Sequence, residues 1–304
     1  MGLVLARPAR LLGVEPFFME FIAGIEESLA ERGLSVLLHV VAHQDAELAA
    51  YRRWAERRLV EAVAVVNLTA GDRRPALLRE LGLPAVLVGS WDEDPAAPAV
   101  RTDDAQAVRE ALTRLVELGH RRVARVSGPA PLLHTRARGA ALEEGCRAAG
   151  LPPPVTAEGD YSAEAGERLT SLLLTAETPP TAILYDNDVM AVAGLSAAGA
   201  LDVPVPERLS VIAWDDSVLC RLASPPLTTM SLDVHGYGAA VARALLGLVD
   251  GRPVPERGPH LARYVPRGST GPRTVETAAG TAAGTAAAPG APAAPGPTAV
   301  AAET

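Results

Sequence analysis

The chain contains no lysine: all 28 basic residues are arginines, set against 36 acids, for a formal net charge of −8 over 304 residues. That absence removes any chemistry built on a lysine amine, from phosphate-loop nucleotide hydrolysis to Schiff-base and kinase-type catalysis. The excess of acid gives no basic face for holding nucleic acid unaided, because phosphate neutralisation dominates that affinity. Cysteine is scarce too. Cys146 and Cys220 stand far apart with no paired spacing, which excludes a disulfide framework and a zinc site and leaves two partly buried thiols. The longest apolar runs, such as 35–42, have strand length and cannot span a bilayer. Arg7 and Arg10 are not followed by an apolar run with a small-residue cleavage site, so no secretory signal is read and the cytoplasm is the expected location. No G-x-S-x-G elbow is present, and no G-x-G-x-x-G follows a strand; the two glycines of GYGAAV at 236–241 fall inside a helical segment.

What is present is a core-forming composition, 48% hydrophobic, arranged as alternating strands and helices. A strand at 2–6 precedes a helix carrying Phe18, Phe21, Ile22, Ile25 and Leu29 at helical spacing, stopped by Gly33. Strands at 34–41, 62–66 and 85–89 alternate with helices near 46–59 and 73–81. After the loop at 91–99 comes a helix from Asp104 to Leu118. A second series follows: strand 121–127, helix 135–149, a Pro-rich loop at 152–154, helix 162–174, strand 181–185, helix 188–199 and strand 209–214. A late helix at 235–250 and a strand at 261–266 complete it. Such alternation predicts right-handed crossovers and parallel sheets, hence an α/β protein of two doubly wound units. The late helix is expected to return to the first unit. Residues 275–304 collapse into Ala, Gly, Pro and Thr and are expected to be a disordered tail.

Several residues carry candidate chemistry. His39 and His43 leave a predicted strand, where their spacing does not put both rings on one face, so no metal site is read there. His120 follows Gly119 at a helix end and reads as a structural hydrogen-bonding residue. Asp103 and Asp188 each stand where a helix begins and suit N-caps; for Asp188 ligand contact is the equal alternative. Asp215 directly follows the apolar strand LSVIAW, at a carboxyl end, where a carboxylate reaches ligand hydroxyls. Trp214 beside it offers a stacking face. Arg136 sits at a helix start, an awkward place for a cation, and calls for a partner: a ligand oxygen or a nearby acid. Phe18 fits the core stripe of its helix, while Phe17 falls off it toward a cleft.

These segments resemble the effector-binding core of the LacI/GalR family of transcriptional regulators. The matching stretches are FFMEFIAGIEESLAERG at 17–33, LPAVLVG at 83–89, TDD at 102–104, LGHRRVA at 118–124, RARG at 136–139, DND at 186–188, ERLSVIAWDD at 207–216 and PPLTT at 225–229. The resemblance covers roughly 2–270 and implies a periplasmic-binding-protein-like (type I) fold of two Rossmann-like subdomains. Residues 1–118 with 234–260 would form the first, and 119–233 with 261–270 the second. It further implies a small-molecule effector, a sugar or related polar metabolite, held between them by Phe17, Phe18, Asp104, Arg136, Asn187, Trp214 and Asp215. The implied protein is a homodimer, not an enzyme, with no cofactor, no metal and no membrane contact. Operator DNA would be read through a helix-turn-helix headpiece, which this chain does not show because its first strand starts at residue 2. A transport-type sugar-binding protein, a metabolite sensor without DNA binding and a hydrolase with two cleft acids are the competing readings.

Overall fold

A computed structural model describes residues 1–8, 13, 15–91, 94, 97–252 and 258–273. The expected disordered tail at 275–304 lies outside the described residues. Within the rest, the alternating pattern resolves into two sheets. The first contains β1 (Gly2–Ala6), β2 (Leu37–Val41), β3 (Val63–Val65), β4 (Ala85–Val88) and β5 (Ala99–Val100), all parallel, in the order β2-β1-β3-β4-β5. The second contains β6 (Val123–Ser127), β7 (Val155–Glu158), β8 (Ala182–Tyr185), β9 (Ser210–Trp214), β10 (Thr228–Ser231) and β11 (Arg263–Val265), in the order β11-β10-β9-β8-β6-β7. Only β11 runs antiparallel to its neighbour among these described strands.

Strands buried on both faces need helices on both sides. On the first sheet, α1 (Pro16–Ala30) covers one face and α2 (Gln44–Arg57) with α3 (Arg74–Glu80) the other. Phe18, Phe21, Ile25 and Leu29 of α1 enter the core at the spacing read from the sequence. They meet Tyr237, Val241 and Leu245 of α9 (Val234–Val249), which returns from the far end of the chain to this sheet. The two helices cross at glycines. A Cβ on Gly24 would stand 2.1 Å from the His235 carbonyl oxygen, and one on Gly238 2.1 Å from that of Phe21. Only glycine permits backbones so close.

On the second sheet, α6 (Ala163–Leu174) and α7 (Asp188–Ala200), with the short α8 (Val218–Leu222), cover one face, and α5 (Leu133–Ala148) the other beside α4 (Asp104–Glu117). Helix α4 lies ahead of the expected boundary at residue 118 and packs on the second sheet. Its buried face, Ala107, Val108, Ala111, Leu112 and Leu115, packs with Leu142, Leu184, Ile212 and Trp214. The chain therefore changes sheets ahead of Asp104, because the apolar stripe of α4 finds its complement on α5 and not on α1. It crosses again between β10 and α9, and a third time between α9 and β11. The first and third crossings are tied together: His260 N–H donates to the Arg101 carbonyl at 2.8 Å, and Asp103 N–H to that of His260 at 3.2 Å.

Candidate functional site

Open parallel sheets leave ligand-accessible groups beyond the carboxyl ends of their strands. Here the ends of both sheets face one cavity of about 130 Å³. Arg7 follows β1, Asn67 follows β3, Asp186–Asp188 follow β8, and Trp214–Asp215 close β9. Helix starts supply the remaining wall: Glu15 to Phe18 from α1, Asp104 from α4, His134 and Arg138 from α5.

Six of the seven residues expected at a site converge on this cavity: Phe17, Phe18, Asp104, Asn187, Trp214 and Asp215. Arg136 does not. It is exposed, and Arg138 occupies the place expected for it. The reason is helical register. The buried face of α5 runs through Thr135, Arg138, Leu142 and Cys146, and a residue two positions away points about 200° off that face at ~100° per residue. Spacing back from Leu142 and Cys146 would have selected Arg138.

Arg138 organises the centre. Its Nε donates to Asp104 Oδ1 at 2.7 Å, Nη1 reaches the Asp186 carbonyl at 3.3 Å, and the guanidinium lies 3.8 Å from the Trp214 ring centroid. Burial pushes the Asp104 carboxyl up, but Arg138 and the Thr102 hydroxyl, 2.9 Å away, bring it below the usual carboxylate range. Asp186 is locked away: Arg125 grips it at 2.8 and 2.5 Å, and Gly128 N–H adds a third bond. The side chain of Asn187 is the N-cap of α7, accepting from Met190 N–H at 2.9 Å and donating to the Tyr161 carbonyl at 3.0 Å. Asp103 caps α4 in the same way. Asp188 lies one position inside α7, not at its cap.

Two acids remain without an arginine. Asp188 is 3% exposed and its Oδ2 has no hydrogen-bond partner. Burial raises its pKa. Asp215 has a left-handed backbone, φ 68°, and its carboxylate accepts no hydrogen bond from another described residue. Burial first, then the neighbouring charges of Asp188, Glu15 and Asp104, push it up to about 8 against the opposing pull of Arg138. A buried carboxylate oxygen without a donor is costly; Asp188 Oδ2, beside the half-buried Asp215, marks where donors from a ligand would be used.

Residues missed from the sequence complete the wall. Arg7 pairs with Glu15 and lies 4.9 Å from the ring centroids of both Phe18 and Tyr161. Tyr161 also bonds His134 Nε2 at 2.8 Å. Burial and Arg138 push that imidazole down to about 4, so it is neutral at neutral pH. Asn67 and Tyr161 are both held at positive φ, 53° and 71°. His120, read as structural, is so placed, bridging Thr181 and the Gly271 carbonyl; His43, for which no such role was read, caps α2. Among the described residues, no cluster of three His, Cys, Asp or Glu is arranged to hold a metal, and no helix is long and apolar enough to cross a membrane.

Comparison with known proteins agrees with this architecture. Residues 112–270 match the periplasmic binding protein-like domain family. The transcriptional repressor CytR of Escherichia coli is 32% identical over 248 residues, 79% of this chain and 71% of the repressor. A LacI family regulator from Bifidobacterium animalis superposes with a TM-score of 0.82 at 34% identity, covering 90% of this chain and 98% of that one. The regulator CelR in complex with cellobiose gives 0.81 at 27% identity, covering 88% and 83%. The chain belongs to the LacI family of transcriptional regulators and carries its periplasmic-binding-protein-like α/β core.

Proposed function

We propose that this chain senses a sugar or related small polar metabolite in the cavity between its two sheets and uses that binding to control operator binding in a homodimer. The observation that carries the reading is the centre of the cavity. Arg138, stacked on Trp214 and paired with Asp104, stands beside two carboxylates, Asp188 and Asp215, that have no arginine of their own. Vicinal hydroxyls would supply donors to those acids and accept from the guanidinium, while Phe17 and Trp214 offer faces for an apolar ring side. CelR, with its bound cellobiose, supports the sugar class.

In this reading the two sheets are the cores of two lobes, the first ending ahead of Asp104 and regaining the chain at α9. Effector bound to both lobes would favour a closed relative angle. The shift is limited to the ligand's differential affinity for closed and open forms. Calorimetric titration with hexoses and disaccharides, cellobiose included, tests it: heat of binding is expected from the wild type and none from Asp215→Ala at unchanged circular dichroism. Equal affinity in that variant would remove Asp215 from the site, and silence across the panel would remove the sugar reading.

A further inference from the structure

A cavity of about 580 Å³ lies outside the cleft, on the flank of the first sheet where α1, β5 and α9 meet. Small-molecule pockets span about 300–1,000 Å³, so it has room for one. Val100 of β5 and Ala240, Ala244 and Gly247 of α9 give it an apolar floor. The three α9 residues follow helical spacing and share one face. Their small size leaves the space open: a Cβ added at Gly247 would meet nothing closer than the Arg252 carbonyl oxygen, at 3.9 Å.

The rim is cationic. Arg32, Arg101, Arg243 and Arg252 stand around the floor, and Glu31 is the only acid lining it among the described residues. Arg32 and Arg252 share one carboxylate, that of Asp250. Arg32 donates to it through Nη1 and Nη2 at 3.1 and 3.0 Å, and Arg252 adds its Nη2. These hydrogen bonds bring the Asp250 carboxyl down to about 2. Arg101 Nη1 donates to the Trp91 carbonyl at 2.7 Å. The Arg243 guanidinium is exposed and bonds to no other described residue. Four arginines against Glu31 and Asp250 leave two positive charges in excess, on a chain whose net charge is −8.

That combination selects a ligand class. Guanidinium groups hold phosphate oxygens through paired N–H bonds, and a phosphate monoester carries about −1.5 to −2 charges at neutral pH, which matches the excess. The apolar floor suits a carbon skeleton attached to it. We infer that this pocket is a second ligand site, for a small phosphate monoester, with the phosphate among the arginines and the skeleton over α9. The inference goes beyond the sugar-sensing reading and does not depend on it. The pocket shares a wall with the cavity between the sheets, because His260 lines both. The His260 ring lies 5.0 Å from that of Tyr237, whose hydroxyl donates to the Val100 carbonyl at 3.1 Å. An occupant would therefore rest against the paired chain crossings at Arg101 and His260.

The test is calorimetric titration at low ionic strength with glucose 6-phosphate, ribose 5-phosphate, glycerol 3-phosphate and 3-phosphoglycerate, beside inorganic phosphate. At least one ester should bind the wild type, one per chain, ten-fold or more tightly than inorganic phosphate, about 1.4 kcal/mol. Arg243→Glu and Arg252→Ala alter exposed side chains, and each should keep its circular dichroism while losing ten-fold or more in ester affinity. Asp215→Ala, on the far side of the His260 wall, should bind the ester as the wild type does. Silence from every ester, or esters no tighter than inorganic phosphate, would overturn the inference. So would binding that survives Arg243→Glu, or binding lost in Asp215→Ala, which would put the ester in the cleft.

Discussion

Arg74 and Arg138 are both buried and both paired with an aspartate, but the groups around them are satisfied to different degrees. Arg74 spends its guanidinium completely: Nε and Nη2 on Asp72, Nη1 on Glu47 and the Val66 carbonyl, and Nη2 also on that of Asn67. Glu47 in turn accepts from the Tyr51 hydroxyl at 2.6 Å. Arg138 holds one carboxylate and one carbonyl, faces a cavity, and has two further acids near it that lack an arginine. A closed network rigidifies, and an open one is ready for a partner. The first fixes the loop that carries Asn67; the second is where the polar groups of an effector would complete the bonding.

The sharpest way to break this comparison is to remove each arginine. Arg74→Ala leaves Asp72 and Glu47 buried without their cation, and loss of one member of such a pair costs about 3–5 kcal/mol. Chemical denaturation should register that loss, with ligand binding lost alongside folding. Arg138→Ala should destabilise by less, about 1–3 kcal/mol, because it strips the partner from one buried carboxylate where Arg74→Ala strips it from two. Its larger effect should be on effector affinity, ten-fold or more, in a protein that still folds. Equal stability losses for the two variants would erase the distinction drawn here.

Asp215 sharpens the same contrast through pH. Its folded pKa, pushed up to about 8, lies far above the ordinary value of 3.8. Between those values the folded state holds a proton that the unfolded state has released. Stability contributed by this group is therefore full below about pH 4, declines as pH rises, and is spent above about 8. Asp215→Asn should flatten that decline, so the variant melts higher than the wild type at pH 8 while the two converge at low pH. A ligand that donates hydrogen bonds to the ionised carboxylate should bind the wild type more tightly at pH 9 than at pH 7. Parallel melting curves for variant and wild type would show that Asp215 is not held in this state.

The fold was largely legible in the sequence because its evidence is periodic. The stripe of α1 and the strand/helix alternation are local patterns, and the structure realises them. Elements without such a pattern were lost. β7 is a short, mostly exposed VTAE directly after a Pro-rich loop, and β10 is TTMS, its threonines buried by neighbouring strands and not by hydrophobicity. The side on which α4 packs was lost too, since an apolar stripe does not name its partner. At the cavity, strand-end residues such as Trp214 and Asp215 could be read from position. Asn67 and Tyr161, both at positive φ, could not, since the side chains that hold their carbonyls lie beyond their own turns, Arg74 seven residues on and Asn187 26 residues on.

Arg136 gives the smallest effect and the cleanest test of the register. It shares a helix with Arg138 and stands two residues away, yet it is exposed where Arg138 is 8% exposed. Surface substitutions away from special features stay within about 0.5 kcal/mol. Arg136→Ala should therefore leave both melting temperature and sugar affinity where they were, while Arg138→Ala moves both. The two variants change the net charge equally and remove the same side chain from the same helix. A difference between them can arise only from the face each occupies, and loss of binding in Arg136→Ala would mean that α5 presents the other face to the ligand.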